Sequence, residues 1–248
     1  MEKNDNHVKN NSSNKLVESF EPGAARFGNF INYYTFNSVS KRLQAIPPDL
    51  LLFFEKKPIL CLDVGCNSGE LTTGLYSHLT SELTSNIDVF IMGIDLDGDL
   101  ISRSKESNKY KDHIIYEQID IMEDSSLIQL QSFLQKYNKT KFDLVTCFST
   151  TMWIHLHHGD DGLNKFLNTI SKLTRLLLIE PQEWKSYKSA VRRMIRLNCE
   201  VFQLEKLKIR DIKYHLLQYF PKECFKHFNI CLGETSWGRS LFLFKGHT

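Results

Sequence analysis

Between residues 58 and 197, short apolar runs alternate with longer stretches of helical periodicity. Pro58 to Val64 reads as a buried strand. Glu70 to Leu83 places Leu71, Leu75 and Leu79 on one face of a helix. Asp88 to Ile94, "DVFIMGI", is a second strand that runs into Asp95. A helix over Asp97 to Ser107, a strand over His113 to Ile119 and a helix over Ser126 to Tyr137 follow. "FDLVTCF", Phe142 to Phe148, is the fourth strand. Asp160 to Leu173 reads as a helix, Leu176 to Ile179 as a fifth strand, and Trp184 to Leu197 as a basic helix. Ile212 to Phe220 forms another helix, and "FNICLG" and "SLFLFK" flank a turn as a hairpin. This alternation predicts a parallel sheet with crossover helices, and the terminal hairpin makes its last strand antiparallel.

Upstream of Pro58 the pattern breaks down. "MEKNDNHVKNNSSNK" is polar, Asn-rich and without an apolar core of the kind a secretory signal needs, so residues 1–20 read as a disordered tail. "EPGAARFGNFINYYTF" is aromatic and broken by Gly and Pro, an ordered but irregular segment. A short helix over 38–45 starts at Ser38. Pro47 and Pro48 interrupt the chain, and Asp49 to Phe54 has room for a helical turn or two. Residues 21–248 carry no repeat and no linker, which predicts a single domain. The 248 residues, 42% hydrophobic and 24% charged, suit that size.

Composition narrows the function. No apolar run reaches the roughly 18 residues of a membrane span. The six cysteines are scattered and form no CxxC pair, which argues against zinc and for a reducing, intracellular location. No coiled coil or long apolar stripe is visible, so a monomer is expected. The net charge is only +2, but residues 185–213 hold nine Lys or Arg against three acids. From charge alone a solvated helix face is the simpler reading. The alternative is a surface for an anionic ligand such as RNA.

The candidate chemistry starts at "LCLDVGCNSG". Asp63 closes the first strand, and Gly65 and Gly69 let the backbone turn close to a ligand. The turn has neither the Lys-Ser/Thr of a P-loop nor the GxGxxG of a dinucleotide fold. Asp95 stands where a carboxylate accepts hydrogen bonds from both ribose hydroxyls, and Asp120 where one faces an adenine amino group. Together these acids and glycines form the pattern of S-adenosylmethionine-dependent methyltransferases. The competing explanation is that the acids are helix N-caps. Asp97 reads as one, whereas for Asp95 the agreement of three elements favours the ligand role. The fourth strand lacks the Asn/Asp-Pro-Pro-aromatic motif of amide and adenine methylases. His155, His157 and His158 follow it instead, in a spacing that matches no metal site. Of these, His157 and His158 read as surface or capping residues and His155 as the site candidate.

"DVGCNSGEL", "TMWIHLHHGDDGL", "LLIEPQEWKSY" and "TSWGRSLFLF" resemble the bicoid-interacting-3 family of RNA 5′-phosphate methyltransferases, over about Pro22 to Phe244. "PGAARFGNF" resembles the branch that methylates a 5′-monophosphate, on histidine tRNA and on small-RNA precursors. The resemblance implies a Rossmann-like class I α/β fold with a mostly parallel seven-stranded sheet, S-adenosyl-L-methionine as cofactor, an RNA 5′-phosphate as partner and no metal. It implies cofactor contacts at Arg42, Asn67, Asp95, Asp120, Ile121 and Phe148, with Asp63, Gly65 and Gly69 shaping the turn. Arg42 would hold the methionine carboxylate. Where the family has proline between Gln182 and Trp184, this chain has Glu183. The phosphate is expected on Lys185 together with Arg192 or Arg193, with His155 and Tyr33 or Tyr34 as donors. Trp153 and Trp184 are either walls of the pocket or core, Tyr34 either stacks a base or pins the segment, and Arg196 would track the RNA backbone. The alternatives are a methyltransferase for the γ-phosphate of a triphosphate end and a silent protein that binds RNA 5′ ends.

Overall fold

The apolar runs pair into one seven-stranded sheet in a computed structural model that describes residues 27–28, 30, 33–47, 50, 53–54, 58–82, 88–223 and 228–246. Its strands are Ile59–Val64 (β1), Val89–Asp95 (β2), Ile114–Gln118 (β3), Phe142–Phe148 (β4), Thr174–Glu180 (β5), Phe228–Glu234 (β6) and Ser240–Lys245 (β7). They lie in the order β3-β2-β1-β4-β5-β7-β6. Neighbours from β3 through β5 are parallel, and β7 is antiparallel to both β5 and β6. Every residue of β1 and β4 is buried, as expected of parallel strands covered on both faces. Alternate side chains of β1 serve different cores. Leu60, Leu62 and Val64 pack in one cluster with Phe166 and Tyr187, and Ile59 and Cys61 pack in the other with Leu75 and Leu144.

The helices are Tyr33–Phe36 (α1), Val39–Gln44 (α2), Glu70–Glu82 (α3), Gly98–Ser107 (α4), Ser125–Gln135 (α5), Thr151–Leu173 (α6), Trp184–Arg196 (α7) and Ile212–Glu223 (α8). Two elements, α6 and β5, run beyond their expected bounds in ways that bear on the site. α6 begins at Thr151, not Asp160, because Met152, His155 and Leu156 present a buried face at helical spacing. Gly159, at φ 69 and ψ −171, kinks this helix in a region of backbone space essentially restricted to glycine. β5 begins at Thr174 and ends in Glu180, which lies at the same sheet edge as Asp63 and Asp95. The expected tail, residues 1–20, lies outside the described residues, as do parts of the 49–54 segment.

Candidate active site

A cavity of about 290 Å³ opens at the carboxyl ends of β1 to β4. The turn after β1 forms its floor. Gly65 adopts φ 75, and a Cβ there would stand 2.4 Å from Thr150 Oγ1, so only glycine fits. Asp63 is buried and accepts from Thr72 Oγ1 at 2.6 Å and Thr146 Oγ1 at 2.7 Å, which ties the turn to α3 and β4. Burial pushes its carboxyl above the usual range, and the two hydroxyls work against that shift. Gly69 supports the turn from behind, its carbonyl accepting from Tyr116 Oη at 3.1 Å.

Asn67, at φ 53, turns its backbone amide toward Asp95 Oδ2 at 2.9 Å, and the Asp97 amide reaches Asp95 Oδ1 at 3.1 Å. The carboxylate is thus fixed on the cavity wall by two amides. Each oxygen keeps a lone pair, the arrangement a vicinal diol needs. Burial raises the Asp95 carboxyl, and the amides oppose that shift. Asp97 instead caps α4, accepting from Asp99 N at 2.8 Å and Leu100 N at 3.2 Å. Asp120 is half-buried on the wall and accepts from Met122 N at 2.8 Å, beside the buried Ile121 and Phe148.

The opposite end is cationic. Arg42 is fully buried on α2. Its Nε and Nη2 grip the Glu180 carboxylate, each at 2.9 Å, and Nη2 also reaches Tyr33 Oη and Ser149 Oγ, each at 2.9 Å. The guanidinium fork expected to clasp a ligand carboxylate is therefore committed to Glu180. Only Nη1 is left, buried and without an acceptor among the described residues. Burial opposes the Arg42 charge, and the hydrogen bonds to Glu180 and the nearby Tyr33 outweigh it, so this pKa is raised. A second cation reaches the same carboxylate. Arg239 Nη1 donates to Glu180 Oε1 at 3.0 Å, to Tyr33 Oη at 3.4 Å and, in a short contact, to Ser149 Oγ. Burial would raise the Glu180 carboxyl, but the two arginines and Ser149 hold it below the usual range. Beside this cluster the Trp237 ring lies 5.3 Å from the Arg42 guanidinium, and its indole Nε1 is also buried without an acceptor among the described residues.

The aromatic segment before α2 forms the roof. Phe27 stacks on His157 with centroids 4.6 Å apart and planes 3° from parallel. Gly28 lies so close to Trp153 that a Cβ would stand 2.1 Å from the indole. The Phe30 carbonyl accepts from Asn67 Nδ2 at 3.2 Å, and Tyr34 Oη donates to the Cys66 carbonyl at 3.3 Å. Tyr33, Tyr34 and Trp153 all face the cavity.

Several residues singled out from the sequence stand elsewhere. His155 is buried away from the cavity. Its Nε2 donates to Asp160 Oδ1 at 2.8 Å, and its Nδ1 accepts from Tyr187 Oη at 3.0 Å. The histidines of the wall are His157 and His158, read from the sequence as surface or capping residues. Helical phase is the reason: His155 shares the buried face of α6 with Met152, and the other two do not. Trp184 is half-buried against Tyr187, with centroids 4.9 Å apart, and is not on the wall. Lys185 is exposed and pairs with Glu183 at 2.9 Å, so the acid in the proline position is neutralised by its neighbour. Arg192 is exposed and bonds Ser189 Oγ at 3.2 Å, and Arg196 is also exposed. Arg193 is half-buried and lies 4.6 Å over the Phe30 ring, outside the roof. Glu180, Ser149 and Arg239 were not singled out. Their one sequence signal was membership of the "LLIEPQ" and "TSWGRSL" motifs or the position after β4. Among the described residues no cluster of His, Cys, Asp and Glu is arranged to hold a metal, and no helix is long and apolar enough to cross a membrane.

The family model described as bicoid-interacting protein 3 (Bin3) matches residues 142–246, the stretch that carries Ser149, Glu180 and Arg239. A pre-miRNA 5′-monophosphate methyltransferase of Danio rerio is 42% identical over 258 residues, covering 99% of both chains. The chain belongs to the bicoid-interacting protein 3 family. An RNA 5′-monophosphate methyltransferase of Homo sapiens is 38% identical over 252 residues, covering 96% of this Bin3 chain and 86% of that one. Among solved structures, the plantazolicin methyltransferase BpumL, in complex with a pentazolic desmethylPZN analog and SAH, superposes with a TM-score of 0.55 at 16% identity. That match covers 94% of the Bin3 chain and 95% of BpumL. The bifunctional kinase-methyltransferase WbdD gives 0.51 at 16% identity, over 94% of this chain and 46% of its own. At such identities the likeness is one of fold, and the fold is that of class I methyltransferases.

Proposed function

We propose that this Bin3 protein transfers a methyl group from S-adenosyl-L-methionine to the 5′-monophosphate of an RNA. The observation that carries the reading is the polarity of one cavity. At one side a carboxylate held by two amides, Asp95, is set for a diol. Behind the other, bonded to the lining residues Tyr33 and Ser149, a buried guanidinium nitrogen, Arg42 Nη1, lacks an acceptor among the described residues. A ribose hydroxyl pair and an α-carboxylate answer those two requirements, and Ile121 and Phe148 offer apolar walls between them. Full-length similarity to proteins named RNA 5′-monophosphate methyltransferases supports the acceptor. Histidine tRNA or a small-RNA precursor is the substrate we favour. The buried free thiols Cys61, Cys66 and Cys147 suit a reducing compartment, and we assign the protein to the cytoplasm as a monomer.

When bound, the cofactor supplies an electrophilic methyl and a good leaving group. The chain has to hold the nucleophile in line and keep water out. A 5′-monophosphate has a second pKa of about 6, so at neutral pH it is mostly a dianion and needs no general base. Tyr33, Tyr34 and Trp153 close the roof over the site, where alignment and water exclusion lower the barrier. His155, buried between Asp160 and Tyr187, then serves the fold and not the proton inventory.

The position of the transferred methyl tests this. After reaction with a methyl-labelled cofactor, the RNA is digested to nucleotides and treated with phosphatase. The label is expected on the 5′-terminal phosphate, which the ester protects from the phosphatase. Label on a base or a ribose would overturn the proposal.

A further inference from the structure

We infer that Arg239, on the turn between β6 and β7, is the side chain that receives the terminal phosphate of the RNA. This rests on the proposed function and deepens it. The cations expected for this duty do not reach the wall: Lys185 is 66% exposed and held by Glu183, and Arg192 is exposed on Ser189. Arg239 stands directly behind the wall, bonded to Tyr33 and Ser149, both of which face the cavity.

Charge counting separates the two arginines. Glu180 is ionised and carries one negative charge against the positive charges of Arg42 and Arg239. The cluster is left with one net positive charge in a part-buried place; the cofactor's amino-acid end, whose ammonium offsets its carboxylate, does not cancel it, so the charge is costly unless a further anion joins it. Arg42, with 1% of its side chain exposed, is locked by its fork. Arg239, at 18%, stands at the rim where a ligand can meet it. Tyr33 Oη accepts from both arginines, and its own proton has no acceptor among the described residues. The phenol proton on the wall and the guanidinium bonded behind it form a seat for a phosphate oxygen pair.

The seat is rigid before substrate arrives. Thr235 N donates to the Arg239 carbonyl at 2.8 Å, Arg239 N donates to Thr235 Oγ1 at 3.0 Å, and Gly238 N donates to the Thr235 carbonyl at 2.8 Å. Ser149 is held at φ 59, an uncommon conformation for a residue other than glycine, with its Oγ between the arginines and Glu180. Glu180 therefore sets the direction of Arg239 and cancels one of the two charges, so the seat attracts the phosphate without two cations quenching the attacking oxygen.

The test compares one RNA sequence bearing a 5′-phosphate or a 5′-hydroxyl, each titrated by fluorescence anisotropy against the full chain saturated with S-adenosylhomocysteine. The wild type is expected to prefer the phosphate by about ten- to a hundredfold, the range of charge-assisted hydrogen bonds. Arg239→Gln is expected to bring the ratio close to one with hydroxyl-end affinity unchanged, and Arg239→Lys to restore part of it. An Arg239→Gln protein that keeps the wild-type ratio overturns the inference. A wild type that shows no preference overturns the monophosphate reading beneath it. Because the substitution also touches Glu180, a second measurement uses the unaltered protein. Phosphate-ended RNA is expected to shield Arg239 from an arginine-directed reagent, read by peptide mass mapping, and hydroxyl-ended RNA is not. Equal shielding by both RNAs refutes the seat.

Discussion

His155 and His157 are two positions apart and live in different environments. His155 lies in the core between Asp160 and Tyr187, and His157 lies under Phe27 on the cavity wall. The motif around them was legible in the sequence, but which imidazole faces the cavity depends on where the helix begins, and it begins nine residues before the expected Asp160. Asp95 and Asp97 were easier, because a capping side chain and a strand-end side chain differ by position alone. Burial lowers the pKa of His155, and the Asp160 hydrogen bond only partly opposes this. The unfolded chain takes up that proton near pH 6.5, and the folded chain takes it up only at lower pH. The contribution is thus fully present above about pH 6.5 and is lost as pH falls below it. Lowered His215 acts in the same sense. Thermal unfolding followed from pH 8 to 5 is expected to show Tm falling below about pH 6.5, and His155→Gln to flatten part of that slope. An unchanged slope would mean that His155 is not the buried neutral group described.

At the scale of elements, periodicity located the strands and most helices, and it missed what tertiary contact decides. The helix was expected to start at the acidic pair Asp160 and Asp161, yet it runs from Thr151, and the kink at Gly159 lets one helix serve both the wall and the core. α7 is the clearer case of a pattern with two meanings. Its Tyr187, Ala190 and Met194 are buried, and Lys185, Lys188, Arg192 and Arg196 form one exposed row. At 1.5 Å per residue the row runs for about 16 Å, enough to follow a few phosphates of a strand leaving the site. Replacing Lys185, Arg192 and Arg196 by Ala is expected to lower the salt dependence of RNA binding by about 0.7 per lost contact, a total near 2 on a log–log plot. The phosphate-versus-hydroxyl preference of the same variant should stay as in the wild type. A salt slope equal to that of the wild type would show that the row does not meet RNA.

Over the whole molecule, the alternation of strands and helices announced an α/β sheet, and the terminal hairpin announced its antiparallel edge. The placement of β7 between β5 and β6 is what carries Arg239 to Glu180, and periodicity holds no signal for that order. The contact between Tyr33 and Arg239 joins residues 206 positions apart. It is a product of the closed fold, in which the roof from the start of the domain meets the last hairpin over one carboxylate. That convergence of a diol-binding side, a buried guanidinium and a rimmed arginine is the central claim. The most direct measurement offers one short RNA with a 5′-monophosphate, a 5′-triphosphate or a 5′-hydroxyl and follows methyl transfer from labelled S-adenosylmethionine. Transfer to the monophosphate alone is the predicted result. Transfer to the triphosphate in preference, or to the hydroxyl end, would contradict it.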